Sequence, residues 1–126
     1  MAGTSTGGMT GKRWGRIGDS PVIGAGTYAD NRSCAVSATG HGEYFIRHTV
    51  ARDICARMQF GGATLEEAAK TVVMEELIEA DGEGGIVAVD PAGRVALIFN
   101  TPGMYRASID ATGHKVVGIY GEDETP

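Results

Sequence analysis

Thr4-Ser5-Thr6-Gly7-Gly8-Met9-Thr10 opens a polar run that continues through Gly15-Arg16-Ile17-Gly18-Asp19-Ser20-Pro21 to Gly24-Ala25-Gly26-Thr27-Tyr28-Ala29-Asp30. Hydroxyls, a guanidinium and a carboxylate are set among glycines, residues that let a backbone turn tightly and approach a small ligand closely. Glycines alone would mean only turns; with these charged groups between them, the run suits a charged small molecule. Residues 2 to 6 read as the stub of a strand and 7 to 32 as an extended loop, longer than an ordinary connection and so a place to look for function.

Outward from this loop the elements become regular. Ser33 to Thr39 is small and apolar between Asn31 and Gly40, as a buried strand would be. From Glu43 the period changes: Phe45, Ile46, Thr49, Val50, Ile54 and Met58 recur at helical spacing until Gly61-Gly62, which predicts one helix with one buried face. Thr64 with Glu67 is a capping box that opens a second helix, and its inner side carries Leu65, Ala68, Ala69, Val72, Val73 and Leu77. Asp81 to Gly85 ends it. Strands follow at 86–90, 94–100, 105–110 and 115–120, with hairpin turns at Ala92-Gly93 and Thr112-Gly113. An antiparallel sheet plus two helices is an α+β layered domain. Residues 1–126 form one domain, and 121–126 read as a loose acidic tail.

Composition narrows the function classes. Twenty glycines among 126 residues is about twice the usual share, which again points to turns and close approaches. A formal net charge of -5 with dispersed Lys and Arg leaves no basic footprint for nucleic acid or membrane. No apolar run is long enough to span a bilayer and no signal peptide is evident, so the expected location is cytoplasmic. Cys34 and Cys55 lie far apart in sequence without a CxxC, and are expected to be reduced packing residues.

Two rival chemistries fail on spacing. A phosphate-binding loop ending at Gly11-Lys12 would need glycine where Thr6 stands and Ser or Thr where Arg13 stands. His41, His48 and His114 are scattered, with no HExxH and no Cys/His cluster to hold a metal. His48 is expected on a helix surface, and His41, between two glycines, in a turn. Arg16 and Asp19, three residues apart, could form nothing more than a local ion pair worth under about 1 kcal/mol.

Two further segments give the loop its context: Ala38-Thr39-Gly40-His41-Gly42-Glu43, and Phe99-Asn100-Thr101-Pro102-Gly103-Met104-Tyr105-Arg106. With the opening run they resemble, over nearly the whole chain, the β-subunit of plant-type L-asparaginases, also called isoaspartyl aminopeptidases, in the N-terminal-nucleophile hydrolase superfamily. The resemblance implies half of a four-layer αββα sandwich, an (αβ)₂ assembly with an α-subunit and a second protomer as partners, and no metal or organic cofactor. It implies hydrolysis of β-aspartyl amides, either asparagine or isoaspartyl dipeptides, through an acyl-enzyme on an N-terminal Thr. A glycosylasparaginase-like hydrolase is the alternative within the superfamily.

The roles carried over follow the matching positions. Arg16 matches the residue that grips the substrate's α-carboxylate, and Asp19 the one that holds its α-ammonium, which suits a planar guanidinium fork and a carboxylate. Thr39 and Gly40 match the donors to the oxyanion, and Gly42 a position whose backbone helps to hold substrate. Thr6 matches a threonine that orients the nucleophile. The nucleophile strand of the family precedes this segment, and Met1 stands where it would be. The α-amino group of the N-terminal threonine nucleophile, with a pKa of about 8, is the general base, which a mid-chain threonine cannot supply. Hydrolysis at Gly3-Thr4, a Gly-Thr bond of the kind at which the family matures, would expose Thr4, but Thr4 matches a position on the neighbouring strand and not on the nucleophile strand. The expectation is therefore an inactive chain unless completed. The second class of function is a non-catalytic fragment, binding an amino acid or complementing another chain, with an exposed apolar sheet face.

Overall fold

The computed structural model describes residues 1–121. A four-stranded antiparallel sheet has the order β1 (Thr27–Ala29), β2 (Ala35–Gly40), β3 (Gly84–Val89), β4 (Val95–Phe99). Between β2 and β3 run α1 (Gly42–Arg47), α2 (Val50–Gly61), α3 (Leu65–Lys70), a π-helical segment Thr71–Glu76 and α4 (Leu77–Glu79). The α+β expectation holds. The last strands, β5 (Gly103–Ile109) and β6 (Lys115–Tyr120), pair only with each other among the described residues instead of extending the sheet. The expected tail begins at Gly121, and 122–126 lie outside the described residues.

Alternation sorts the sheet into two faces. Register pairs Val36 with Ala88, Ala38 with Ile86, Ile86 with Ile98 and Ala88 with Ala96 on one side. These side chains pack with Phe45, Val50, Ile54, Val72, Val73 and Leu77 of the helices in a single core. Burying one such Leu, Ile or Phe side chain contributes roughly 1.5–3 kcal/mol, so this layer holds the fold. The opposite face carries Val87, Val89 and Val95, all exposed.

Both predicted hairpin turns form, each organised by an aspartate. Asp90 Oδ1 accepts from the N–H groups of Ala92 and Arg94, and Asp110 Oδ1 from those of Thr112 and His114. The capping box is complete, with Thr64 Oγ1 accepting from Glu67 N–H at 3.2 Å and Thr64 N–H donating to Glu67 Oε2 at 2.9 Å.

Four expectations need correcting. Residues 2 to 6 form no strand; Thr4 Oγ1 instead bonds Gly26 O at 2.8 Å and Ser37 Oγ at 2.7 Å, which lays the segment across the sheet. The helix expected from Glu43 to Gly61 is broken at Thr49, which adopts a left-handed conformation (φ 47°). The break lets the first turn of α2 donate outward, Ala51 N–H to Ala25 O and Arg52 N–H to Gly24 O, so a distant loop satisfies groups that a helix start leaves free. His48 is half-buried at the end of α1 and not on an open helix face. Cys34 and Cys55 are joined by a disulfide, because α2 folds back on β2 and brings their Cα atoms to 5.5 Å, within bridging range.

Candidate active site

The loop that opens the chain is tied down around Asp19. Asp19 O accepts from Val22 N–H at 2.8 Å and Gly26 N–H at 3.1 Å, and Gly26 O in turn accepts from Ala38 N–H of β2. Glycine is required at two neighbours: a Cβ on Gly26 would lie 2.5 Å from Asp19 O, and one on Gly42 would lie 2.9 Å from both Asp19 N and Asp19 Oδ1. The aspartate is thus wedged between the loop and the start of α1. Its residue is only 3% exposed, and its Oδ2 is buried with no hydrogen-bond partner. Burial pushes its carboxyl above the ordinary range, against the lowering influence of its own backbone N–H and of Arg16.

Asp19 lines a cavity of about 650 Å³, together with Thr6, Arg16, Thr39 and Gly40. Five of the six residues singled out from sequence therefore converge on one space, although 33 positions separate Thr6 from Thr39. Gly42 does not line it; buried against Asp19, it serves as clearance for that side chain. Thr6 Oγ1 accepts from Gly8 N–H at 3.2 Å, and Thr39 is exposed at the end of β2.

Arg16 is not paired with Asp19. Its Nη2 meets Glu43 Oε2 at 3.0 Å, with side-chain exposures of 27% and 61%. Glu43, on the first turn of α1, is held below the usual carboxylate range by its own backbone N–H and by Arg16. The cavity thus contains a guanidinium with a solvent-exposed partner and a buried carboxylate with one oxygen, Asp19 Oδ2, left unpartnered. These two groups are complementary to a free amino acid, whose carboxylate and ammonium would meet the guanidinium fork and the buried carboxylate respectively.

The far wall is built by β2 and β3. Gly40 opposes Gly84 in the register, and a Cβ on either would come within 2.7 Å of Phe45 and of the other's Cα. This close approach brings the strand ends together at the cavity, where His41 N–H also donates to Glu83 O at 2.8 Å. Asn100 locks the corner: its side chain accepts from Gly84 N–H at 2.7 Å and donates to Gly82 O at 2.8 Å and Val73 O at 3.1 Å. The Val73 carbonyl lies in the π-helical segment, where the wider turn leaves a carbonyl for such a side chain.

Sequence reasoning missed Glu43, Glu83, Lys12 and Asn100. Glu43 had a usable signal, an acidic residue directly after Gly-His-Gly at a helix start. Asn100 lies in the Phe99–Arg106 segment with no local signal of its role, since a role that depends on three carbonyl and amide groups from separate elements has no local pattern.

A family model described as "Asparaginase" matches residues 1–119. The chain is 57% identical over 121 residues to the isoaspartyl peptidase of Escherichia coli, covering 96% of this chain and 38% of that protein. It is 54% identical over 108 residues to a putative isoaspartyl peptidase/L-asparaginase of Dictyostelium discoideum, covering 86% and 31%. It is 49% identical over 119 residues to a probable isoaspartyl peptidase/L-asparaginase of Arabidopsis thaliana, covering 94% and 36%. The chain spans less than two-fifths of the length of these relatives. With the model matched over almost its whole length and the quoted loop, strand and helix start assembled around one cavity, the chain belongs to the asparaginase family.

Proposed function

We propose that this chain supplies the substrate head-group site of a β-aspartyl amide hydrolase, an isoaspartyl peptidase/L-asparaginase. The observation that carries the reading is the buried, unpartnered Asp19 Oδ2 in the same cavity as Arg16, Thr39 and Gly40. A buried polar atom without a partner costs roughly 1–3 kcal/mol, which a bound ammonium would offset. Arg16 takes the α-carboxylate and Asp19 the α-ammonium, which leaves the β-amide as the reactive end. Thr39 Oγ1 and Gly40 N–H stabilise the oxyanion as the carbonyl becomes tetrahedral, and Thr6 orients an N-terminal threonine that attacks it. An acyl-enzyme forms with loss of ammonia or an amino acid, and water then releases aspartate.

The names of the relatives support the substrate class. The exposed Val87, Val89 and Val95 face supports a further layer, and we assign it to the α-subunit of an (αβ)₂ assembly. No helix among the described residues is long and apolar enough to cross a membrane. The cytoplasmic placement rests on sequence, and the Cys34–Cys55 bond counts against it, because structural disulfides persist mainly in oxidising compartments.

The test is hydrolysis of asparagine and of β-aspartylglycine by the protein encoded in the longest open frame containing this chain. Arg16→Ala and Asp19→Asn should lower kcat/KM for both substrates, and Thr39→Val should lower kcat by about 10²-fold, as loss of one oxyanion donor does. Full activity in Arg16→Ala would remove the head-group assignment.

A further inference from the structure

Lys12 is the cation of the cavity wall that head-group recognition leaves over. Three positively charged or protonatable side chains line the space: Lys12, Arg16 and His41. Arg16 meets Glu43, and His41 Nε2 lies 4.0 Å from Glu83 Oε2. Lys12 has no carboxylate among its described contacts; its Nζ donates only to Gly7 O. The side chain is folded back across Gly8, where a Cβ would lie 2.7 Å from Lys12 Nζ and 3.0 Å from Lys12 Cδ. The bare Gly8 leaves room for the exposed ammonium to lie over the loop at the mouth of the cavity.

The volume is the second observation. About 650 Å³ falls in the range of sites that enclose whole drug-sized ligands, roughly 300–1,000 Å³, and so has room for a leaving residue as well as for the head group and the attacking threonine. A β-aspartyl dipeptide has a second carboxylate, on the leaving residue, that asparagine lacks. Resting on the head-group reading above, we propose that Lys12 binds this terminal carboxylate and sets a preference for β-aspartyl dipeptides over asparagine. His41 is the weaker choice, because a carboxylate already faces it.

The experiment is titration calorimetry of the 126-residue chain with L-aspartate, β-aspartylglycine and β-aspartylglycinamide, whose terminal carboxylate is replaced by an amide. The parent should bind the acid dipeptide about tenfold more tightly than the amide, within the range for a hydrogen bond to a charged group. Lys12→Met should abolish that acid-over-amide ratio, and Lys12→Arg should restore it. Equal binding of acid and amide by the parent overturns the proposal while leaving the head-group site standing. So does a Lys12→Met variant that keeps the ratio, or that loses aspartate as severely as dipeptide. Failure of all three ligands to bind the parent removes the head-group reading and this proposal with it.

Discussion

Replacing Asn100 by alanine should destabilise the protein far more than a typical change at a half-buried polar position. The side chain makes three hydrogen bonds, to Gly84 N–H, Gly82 O and Val73 O, and so joins β3, the end of α4 and the π-helical segment. Each bond contributes about 1 kcal/mol net, and because water can reach a half-buried site in part, the loss should be about 2–3 kcal/mol. Native stabilities are about 5–15 kcal/mol, so this is a large share of the total. With a urea slope of about 2 kcal/mol/M, the midpoint should fall by roughly 1–1.5 M. Asn100→Asp should be no better, since it keeps the acceptor for Gly84 but sets a carboxylate against two carbonyl oxygens. The assay is equilibrium urea unfolding followed by circular dichroism. A midpoint for Asn100→Ala within about 0.3 M of the parent, a margin of about 0.6 kcal/mol at that slope, would refute the claim that this side chain fixes the corner.

Three other outcomes are expected. The Cys34–Cys55 bond closes a loop that carries Thr39, Gly40, Gly42 and Glu43, so reduction should cost about 3 kcal/mol and lower the urea midpoint; two titratable thiols in the unreduced, denatured protein would show that the bond is not formed. Glu43→Gln should change stability by less than about 1 kcal/mol, as for an exposed pair, yet tighten L-aspartate binding by freeing Arg16; weaker binding in calorimetry would mean that Glu43 positions Arg16 instead. Burial raises the Asp19 carboxyl above its ordinary 3.8. An ammonium ligand needs the ionised form, so aspartate affinity should fall as pH drops into the window above 3.8, with proton release on binding. Stability has the opposite sign: the ligand-free protein gains stability as pH falls through the folded-state value of Asp19 and loses it as pH rises. Asp19→Asn should flatten both dependences, and an affinity that is unchanged across the window would exclude Asp19 as the ammonium partner.

The parts of the fold legible in the sequence are those fixed by short-range physics. Thr64 and Glu67 announce a helix start because the capping box closes within four residues, and Ala92-Gly93 and Thr112-Gly113 announce turns, which the side chains of Asp90 and Asp110 then fix through backbone amides two and four positions on. What escaped depends on distant partners. Thr49 breaks a helix whose periodicity runs straight through it, and the reason lies in the carbonyls of Gly24 and Ala25. Cys34 and Cys55 meet only because α2 returns onto β2, which their spacing cannot reveal. At the site, resemblance supplied residues that the structure then gathered on one cavity, while the pairing of Arg16 with Glu43, and not with Asp19, depends on where α1 starts. The clearance role of Gly42 was likewise hidden, because it is defined by the Asp19 atoms that press against it.

The central claim is that Arg16 and Asp19 together recognise a free amino-acid head group, and titration of L-aspartate into the chain tests it most directly. The account predicts saturable one-to-one binding that disappears in Arg16→Ala and is greatly weakened in Asp19→Asn. Binding that survives in both variants, or none in the parent, would contradict it.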